Sequence, residues 1–173
     1  MSDVANVVLV GPMGAGKSTV GRLLASRLGF SFVDTDSVIE DRTGADIPWI
    51  FDVEGEDGFR VRETGVLNDL LEERSPMVVA TGGGVVMRDE NIALLKRLGT
   101  VFFLQASLDQ LVARTSKDKK RPLLQVSNPK AKIQELLDLR TPLYERASHA
   151  SIMTDVRGAK GVVQQICAYL QHE

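Results

Sequence analysis

The segment Gly11–Ser18, GPMGAGKS, constrains the fold more than any other part of the chain. It runs glycine, four residues, glycine, lysine, serine, which is the spacing of a phosphate-binding loop. The β-branched run ANVVLV, Ala5–Val10, stands directly before it and reads as a buried strand. After it, Val20, Leu23, Leu24 and Leu28 recur at helical spacing and predict one apolar helix face. That context matters physically. Between a strand and a helix, successive backbone N–H groups converge into a concave anion site, and the helix N-terminus adds partial positive charge. In such a loop the lysine reaches the β- and γ-phosphates of a nucleoside triphosphate and the hydroxyl ligates Mg²⁺. Lys17 and Ser18 hold those positions, and Gly11, Pro12, Met13, Gly14, Ala15, Gly16 and Thr19 complete the cradle.

The rest of the chain alternates in the same way. FSFVD (Phe30–Asp34), MVVAT (Met77–Thr81), TVFFLQ (Thr100–Gln105) and ASIMT (Ala150–Thr154) read as further strands. Helical patterns cover 35–43, about 55–73, 89–97 and 159–171. SLDQ (Ser107–Gln110) has the form of a capping box. Asn128 and Pro129 suit an N-cap and a first helical position. About five strand–helix alternations predict an α/β fold, a parallel sheet covered on both faces. At 173 residues, with 43% hydrophobic and 25% charged residues and no internal repeat, one domain over 1–173 is expected. Thr115–Pro129 is charged at first and without clear periodicity, so about 115–128 is a candidate mobile lid.

Composition narrows the function classes. A net charge of −2 gives no sign of a general nucleic-acid or anionic-membrane binder. No apolar run reaches membrane-spanning length and the first residues lack a signal-peptide pattern. With one cysteine, a reducing, cytoplasmic setting is expected. His149, His172 and Cys167 have no metal-ligand partners at useful spacing. Cys167 is expected in the core, and so is Trp49.

A phosphate loop alone does not name an activity, because switches, motors and kinases share it. The Asn-Lys-x-Asp or Thr-Lys-x-Asp segment of a guanine-reading switch is absent, and MVVATGGG offers no acid at its strand end for a motor. A small phosphoryl-transfer enzyme remains. FVDTDSVIE (Phe32–Glu40) brings Asp34 and Asp36 to another strand end. On an extended segment the two would face the same side. One acid could hold Mg²⁺ and the other orient an acceptor hydroxyl; helix N-capping by an aspartate is the competing use. Arg60, Arg121 and Arg140 sit beside apolar residues in FRVRE, KKRPLL and LRTPLYE, where guanidinium forks suit carboxylate or phosphate. A second glycine run, Gly82–Gly84 in ATGGGVVM, suggests a backbone that something approaches closely.

Taken together, GPMGAGKST, DTD, GFRVRE, ATGGG, KKRPLL and RTPLY, in that order, resemble the shikimate kinases over about Asn6–Leu170. The resemblance implies a phosphate-loop NTPase fold of three αβα layers with a five-stranded parallel sheet, similar to the nucleoside monophosphate kinases. It implies transfer of the γ-phosphoryl of ATP to the 3-hydroxyl of shikimate, with Mg²⁺, on the route to aromatic amino acids. Carried over by motif, Lys17, Asp36 and Arg121 would be catalytic, with Asp36 also binding ring hydroxyls. Asp34 and Ser18 would stand at the metal. Arg60 and Arg140 would clamp the acceptor carboxylate, Glu63 would fix the clamp, and Gly82, Gly83 and Gly84 would floor the acceptor site. Arg114 would pack against adenine, and Arg121 would ride on the lid. A monomer acting on small molecules is expected. A gluconate-type or nucleoside monophosphate kinase is the alternative, and DVRGAKG (Asp155–Gly161) matches no secure residue pattern.

Overall fold

The computed structural model describes residues 5–116, 122–155 and 157–172. Five strands, β1 (Asn6–Val10), β2 (Ser31–Asp34), β3 (Met77–Ala80), β4 (Gly99–Gln105) and β5 (Ala150–Met153), form one parallel sheet. Their order is β2-β3-β1-β4-β5. Among the described residues seven α-helices connect and cover it: α1 (Lys17–Leu28), α2 (Thr35–Thr43), α3 (Ile47–Leu70), α4 (Asp89–Leu98), α5 (Leu108–Thr115), α6 (Pro129–Ala147) and α7 (Gly158–Gln171).

Strand alternation builds two cores from one sheet. On β1, Val8 and Val10 point to the face covered by Ile39, Leu67, Leu95 and Tyr144. Val7 and Leu9 point to the face covered by Val20, Leu24, Leu111 and Ile166. β4 divides in the same way, with Val101 and Phe103 on one face and Phe102 and Leu104 on the other. Both faces being covered, residues 7–10 of β1 and 101–104 of β4 are continuously apolar instead of alternating with polar residues. Each such leucine, fully buried, contributes about 1.5–3 kcal/mol.

The sheet order puts β3 between β1 and the acid-bearing β2. Register still aligns their ends, since Ala80 pairs with Leu9 on one side and Asp34 on the other. The phosphate loop, the aspartates and the second glycine run therefore leave the sheet along one carboxyl edge, where ligands collect in open α/β sheets.

Four local expectations change. Leu23 is 40% exposed, and Gly21 and Ala25 join Val20 and Leu24 on the buried face of α1. Gly21 lies against the Phe32 ring, so small residues set the contact there. The helix expected from about 55 starts at Ile47: Asp46 caps it by accepting from the Trp49 N–H at 3.0 Å, and Gly55 breaks it at φ 75°, ψ 176°. That conformation is open to glycine almost alone. Trp49 is 57% exposed, not core. The SLDQ capping box is half-made. Ser107 Oγ accepts from the Gln110 N–H, but the Ser107 N–H donates to the Asp155 carboxylate.

Candidate active site

The phosphate loop is shaped by what lies against it. Gly11 has φ 148°, and a Cβ there would stand 2.5 Å from the Leu104 carbonyl oxygen of β4. A backbone neighbour cannot give way, so only glycine lets the chain turn out of β1. Ser18 Oγ, on the first turn of α1, donates to Asp34 Oδ2 at 2.7 Å. Asp34 Oδ1 caps α2, accepting from the N–H groups of Asp36 and Ser37 at 3.0 and 3.3 Å. Asp34 thus takes the capping use, and its other oxygen stands against Ser18. Asp36 lies on the first turn of α2, not on an extended segment. The two aspartates therefore do not alternate along a strand; the α2 cap sets their relative placement.

Lys17 Nζ donates to the carbonyls of Gly11 and Pro12 at 2.5 and 3.0 Å. Arg114, on α5, donates to the Gly14 carbonyl at 2.9 Å, which places it beside the loop. Gly14, Gly16, Lys17, Ser18, Thr19, Asp34, Asp36 and Thr81 line one cleft. Thr81 fixes the rim by donating through Oγ1 to the Leu9 carbonyl at 2.8 Å.

A second cleft adjoins it. Its polar lining is Asp36, Arg60, Arg140 and the Gly82–Gly84 backbone; Met13, Ile47, Phe51, Phe59 and Pro122 supply the apolar part. Asp36 lines both clefts. Arg60 and Arg140 are only 6% and 3% exposed, unusual for arginine. Arg60 Nη1 donates to Glu63 Oε1 and Nη2 to Glu56 Oε1, each at 3.1 Å. Phe59 lies against the same guanidinium, its ring centroid 5.3 Å from Arg60 Cζ. The Nε atoms of Arg60 and Arg140 have no hydrogen-bond partner among the described residues. Burial pushes the Glu63 carboxyl up to about 7; Arg60 opposes that shift and Asp36 adds to it.

Two of the three glycines are bare because charged side chains occupy the space a Cβ would need. At Gly82 a Cβ would lie 2.8 Å from Asp36 Oδ1 and 3.0 Å from Glu63 Oε2. At Gly84 it would stand within the Arg60 guanidinium, 2.5 Å from Cζ. At Gly83 it would meet Met13 Cγ at 3.3 Å and Arg140 Nη1 at 3.5 Å. The expected close approach is thus refined: at Gly82 and Gly84 the groups that approach are side chains lining the cleft.

Sequence reasoning missed two supports. Tyr144, one turn after Arg140 on α6, donates to the Gly83 carbonyl at 2.5 Å, and burial raises its hydroxyl to about 12. Asn91 Nδ2 donates to the Val85 carbonyl at 2.9 Å, and its Oδ1 lies 2.7 Å from Thr64 Oγ1. These bonds tie α3, α4 and α6 to the glycine turn. The i, i+4 spacing of Arg140 and Tyr144 in RTPLY was a usable signal; Asn91 offered none. Arg121 lies outside the described residues. Of the described residues on either side of it in sequence, Thr115 packs near Gly14 and Pro122 lines the second cleft.

The sequence pattern of the shikimate kinases matches residues 13–171. The chain belongs to the shikimate kinase family. A shikimate kinase of Vibrio parahaemolyticus is 52% identical over 171 residues, covering 99% of each chain. One from Photobacterium profundum is 52% identical, covering 99% of this chain and 97% of its own. Among solved structures, shikimate kinase from Acinetobacter baumannii in complex with shikimate superposes with a TM-score of 0.94 at 47% identity, covering 98% of this chain and 95% of that one. A gluconokinase from Sinorhizobium meliloti, 17% identical with a TM-score of 0.62, shares the fold alone. The phosphate-loop kinase architecture expected from the motifs is therefore the architecture of this family member. Among the described residues no helix is long and apolar enough to cross a membrane, and no cluster of three or more His, Cys, Asp or Glu side chains could hold a metal.

Proposed function

We propose that this shikimate kinase family member phosphorylates the 3-hydroxyl of shikimate with ATP, giving shikimate 3-phosphate and ADP. The observation that carries the reading is the meeting of two unlike clefts at Asp36. One is a phosphate cradle. The other offers two buried guanidiniums to a single carboxylate and one aspartate to a hydroxyl. A monophosphate acceptor would bring two negative charges and a base, for which the second cleft has no obvious provision.

The residues divide the work. Gly11–Thr19 bind the triphosphate through backbone N–H groups and the α1 N-terminus. Lys17 leaves its loop carbonyls for the β- and γ-phosphates, and Arg114 lies along the nucleotide. Arg60 and Arg140 hold the acceptor carboxylate, and Gly82–Gly84 support its ring. Asp36 accepts the hydrogen bond of the attacking hydroxyl and takes its proton as the new P–O bond forms. Positioning of this kind supplies most of the catalysis in phosphoryl transfer. Ser18 Oγ and Asp34 Oδ2, two hard oxygen donors 2.7 Å apart beside the loop, fit Mg²⁺. When bound, it neutralises charge on the phosphates. The 115–128 stretch, whose Pro122 lines the acceptor cleft, serves as a lid, and its Arg121 stabilises the transferring group and excludes water.

A functional monomer in the cytoplasm completes the reading. A coupled assay of ADP formation with shikimate, quinate, gluconate and nucleoside monophosphates tests the assignment. Turnover should depend on shikimate. Turnover restricted to gluconate or a nucleotide would contradict it.

A further inference from the structure

Glu63 is wholly buried, and only one of its carboxylate oxygens is paired. Oε1 accepts from Arg60, whereas Oε2 has no partner among the described residues. Oε2 and Asp36 Oδ1 both lie within 3.0 Å of the single point a Gly82 Cβ would occupy. A bare oxygen beside a second carboxylate, out of water, is a costly place for negative charge.

The charged groups that face Glu63 come from three helices. Arg60 is on its own helix α3, Asp36 is on α2, and Arg140 and Tyr144 are on α6. Glu56 stands on the far side of Arg60 and is half-exposed. With Glu63 and Asp36 both ionised, the two arginines balance the two acids inside the cleft. A third carboxylate, brought in by the acceptor, leaves the closed site with excess negative charge. It also competes with Glu63 for Arg60. Both effects favour a proton on Glu63, whose burial has already moved it to about 7.

We propose that Glu63 takes up one proton from solvent when shikimate enters the arginine clamp, so that acceptor binding is proton-linked. The step is an addition of H⁺ to Oε2; no bond of the substrate breaks. Glu63 is a positioning residue here, acting through Arg60 and through the charge of the cleft. The inference rests on the reading that Arg60 and Arg140 take the acceptor carboxylate. Linkage fixes the sign. Affinity is highest where Glu63 is already protonated, and falls by up to about tenfold per pH unit above about 7.

The test is calorimetry of shikimate binding to the full chain without nucleotide, in two buffers of different ionisation enthalpy. Omitting ATP removes the titration of its own phosphates. Near pH 7.5, uptake should be between about one half and one proton per shikimate, falling towards none near about pH 5.5. Glu63→Gln, neutral and of the same shape, should bind with no proton uptake and with little pH dependence. Tight binding by the natural chain with no uptake at about pH 7.5 overturns the proposal, as does a Glu63→Gln variant that keeps the original pH dependence. If the variant fails to fold, the proton count on the natural chain decides alone. No shikimate binding at any pH would instead refute the clamp reading.

Discussion

Gly84→Ala separates two reasons for a glycine. The backbone at Gly84, φ −96° and ψ 9°, lies where other residues are also found. Alanine therefore adds no large conformational cost. Its methyl group would instead stand 2.5 Å from Arg60 Cζ, so the guanidinium must move. Arg60 is held by Glu63 and Glu56, each at 3.1 Å. Charge-assisted bonds of this kind are worth roughly 1.5–3 kcal/mol each. Losing the equivalent of one at the clamp should weaken shikimate binding about 10- to 100-fold. ATP affinity should stay unchanged and circular dichroism should show a retained fold. A double-mutant cycle carries the decisive readout. In an Arg60→Ala background the methyl has nothing to displace, so Gly84→Ala should cost little there, giving a coupling of about 1.5–3 kcal/mol. An undiminished cost in that background would refute the steric argument. Gly83→Ala should be milder, because the closest atom its methyl would meet, Met13 Cγ, is 3.3 Å away instead of 2.5 Å or less.

Arg140→Ala should weaken shikimate binding by ~2–5 kcal/mol with ATP binding little changed, since a desolvated charge pair is lost; calorimetry with each ligand checks this. Arg121→Ala should lower kcat strongly and raise the shikimate Kd modestly, with Arg121→Lys restoring part of the rate, as steady-state kinetics and binding will show. The Glu63 carboxyl, raised from 4.5 in the unfolded chain to about 7, binds its proton more tightly when folded. Its contribution to stability is therefore complete below about 4.5 and declines as pH rises through about 7, by a loss on the order of 3 kcal/mol. Urea titrations without ligand should show that decline, and Glu63→Gln should flatten it.

Much of the fold was legible because local signals agreed. Apolar runs marked all five strands, and Asn128 with Pro129 opened α6 as expected. Strand order was not local information: nothing in FSFVD says that β3 will stand between it and β1. The first half of α3 was missed although Asp46 and Pro48 are good start signals, because Gly55 interrupts the helical pattern and the exposed Trp49 and Val53 disguise it. In the site, phosphate-loop residues were legible from spacing. Arg60, Arg140 and Asp36 became specific only through their order with the other motifs, since a lone arginine or aspartate has many surface uses. The glycine run was recognised as a close approach, but what approaches Gly82 and Gly84 is protein. Tyr144 and Asn91 act through backbone carbonyls, which leaves no composition signature.

The account turns on Asp36, the residue shared by the donor and acceptor clefts. The most direct measurement is single-turnover phosphoryl transfer by Asp36→Asn, with the variant saturated in ATP and shikimate and the reaction stopped by rapid quench. Asparagine keeps the shape but cannot take the hydroxyl proton. The account predicts a rate lower by roughly 10²–10⁴-fold, the usual worth of a positioned base, with ATP affinity retained. A rate within a few-fold of the natural chain would contradict the claim that the two clefts meet at the reacting hydroxyl.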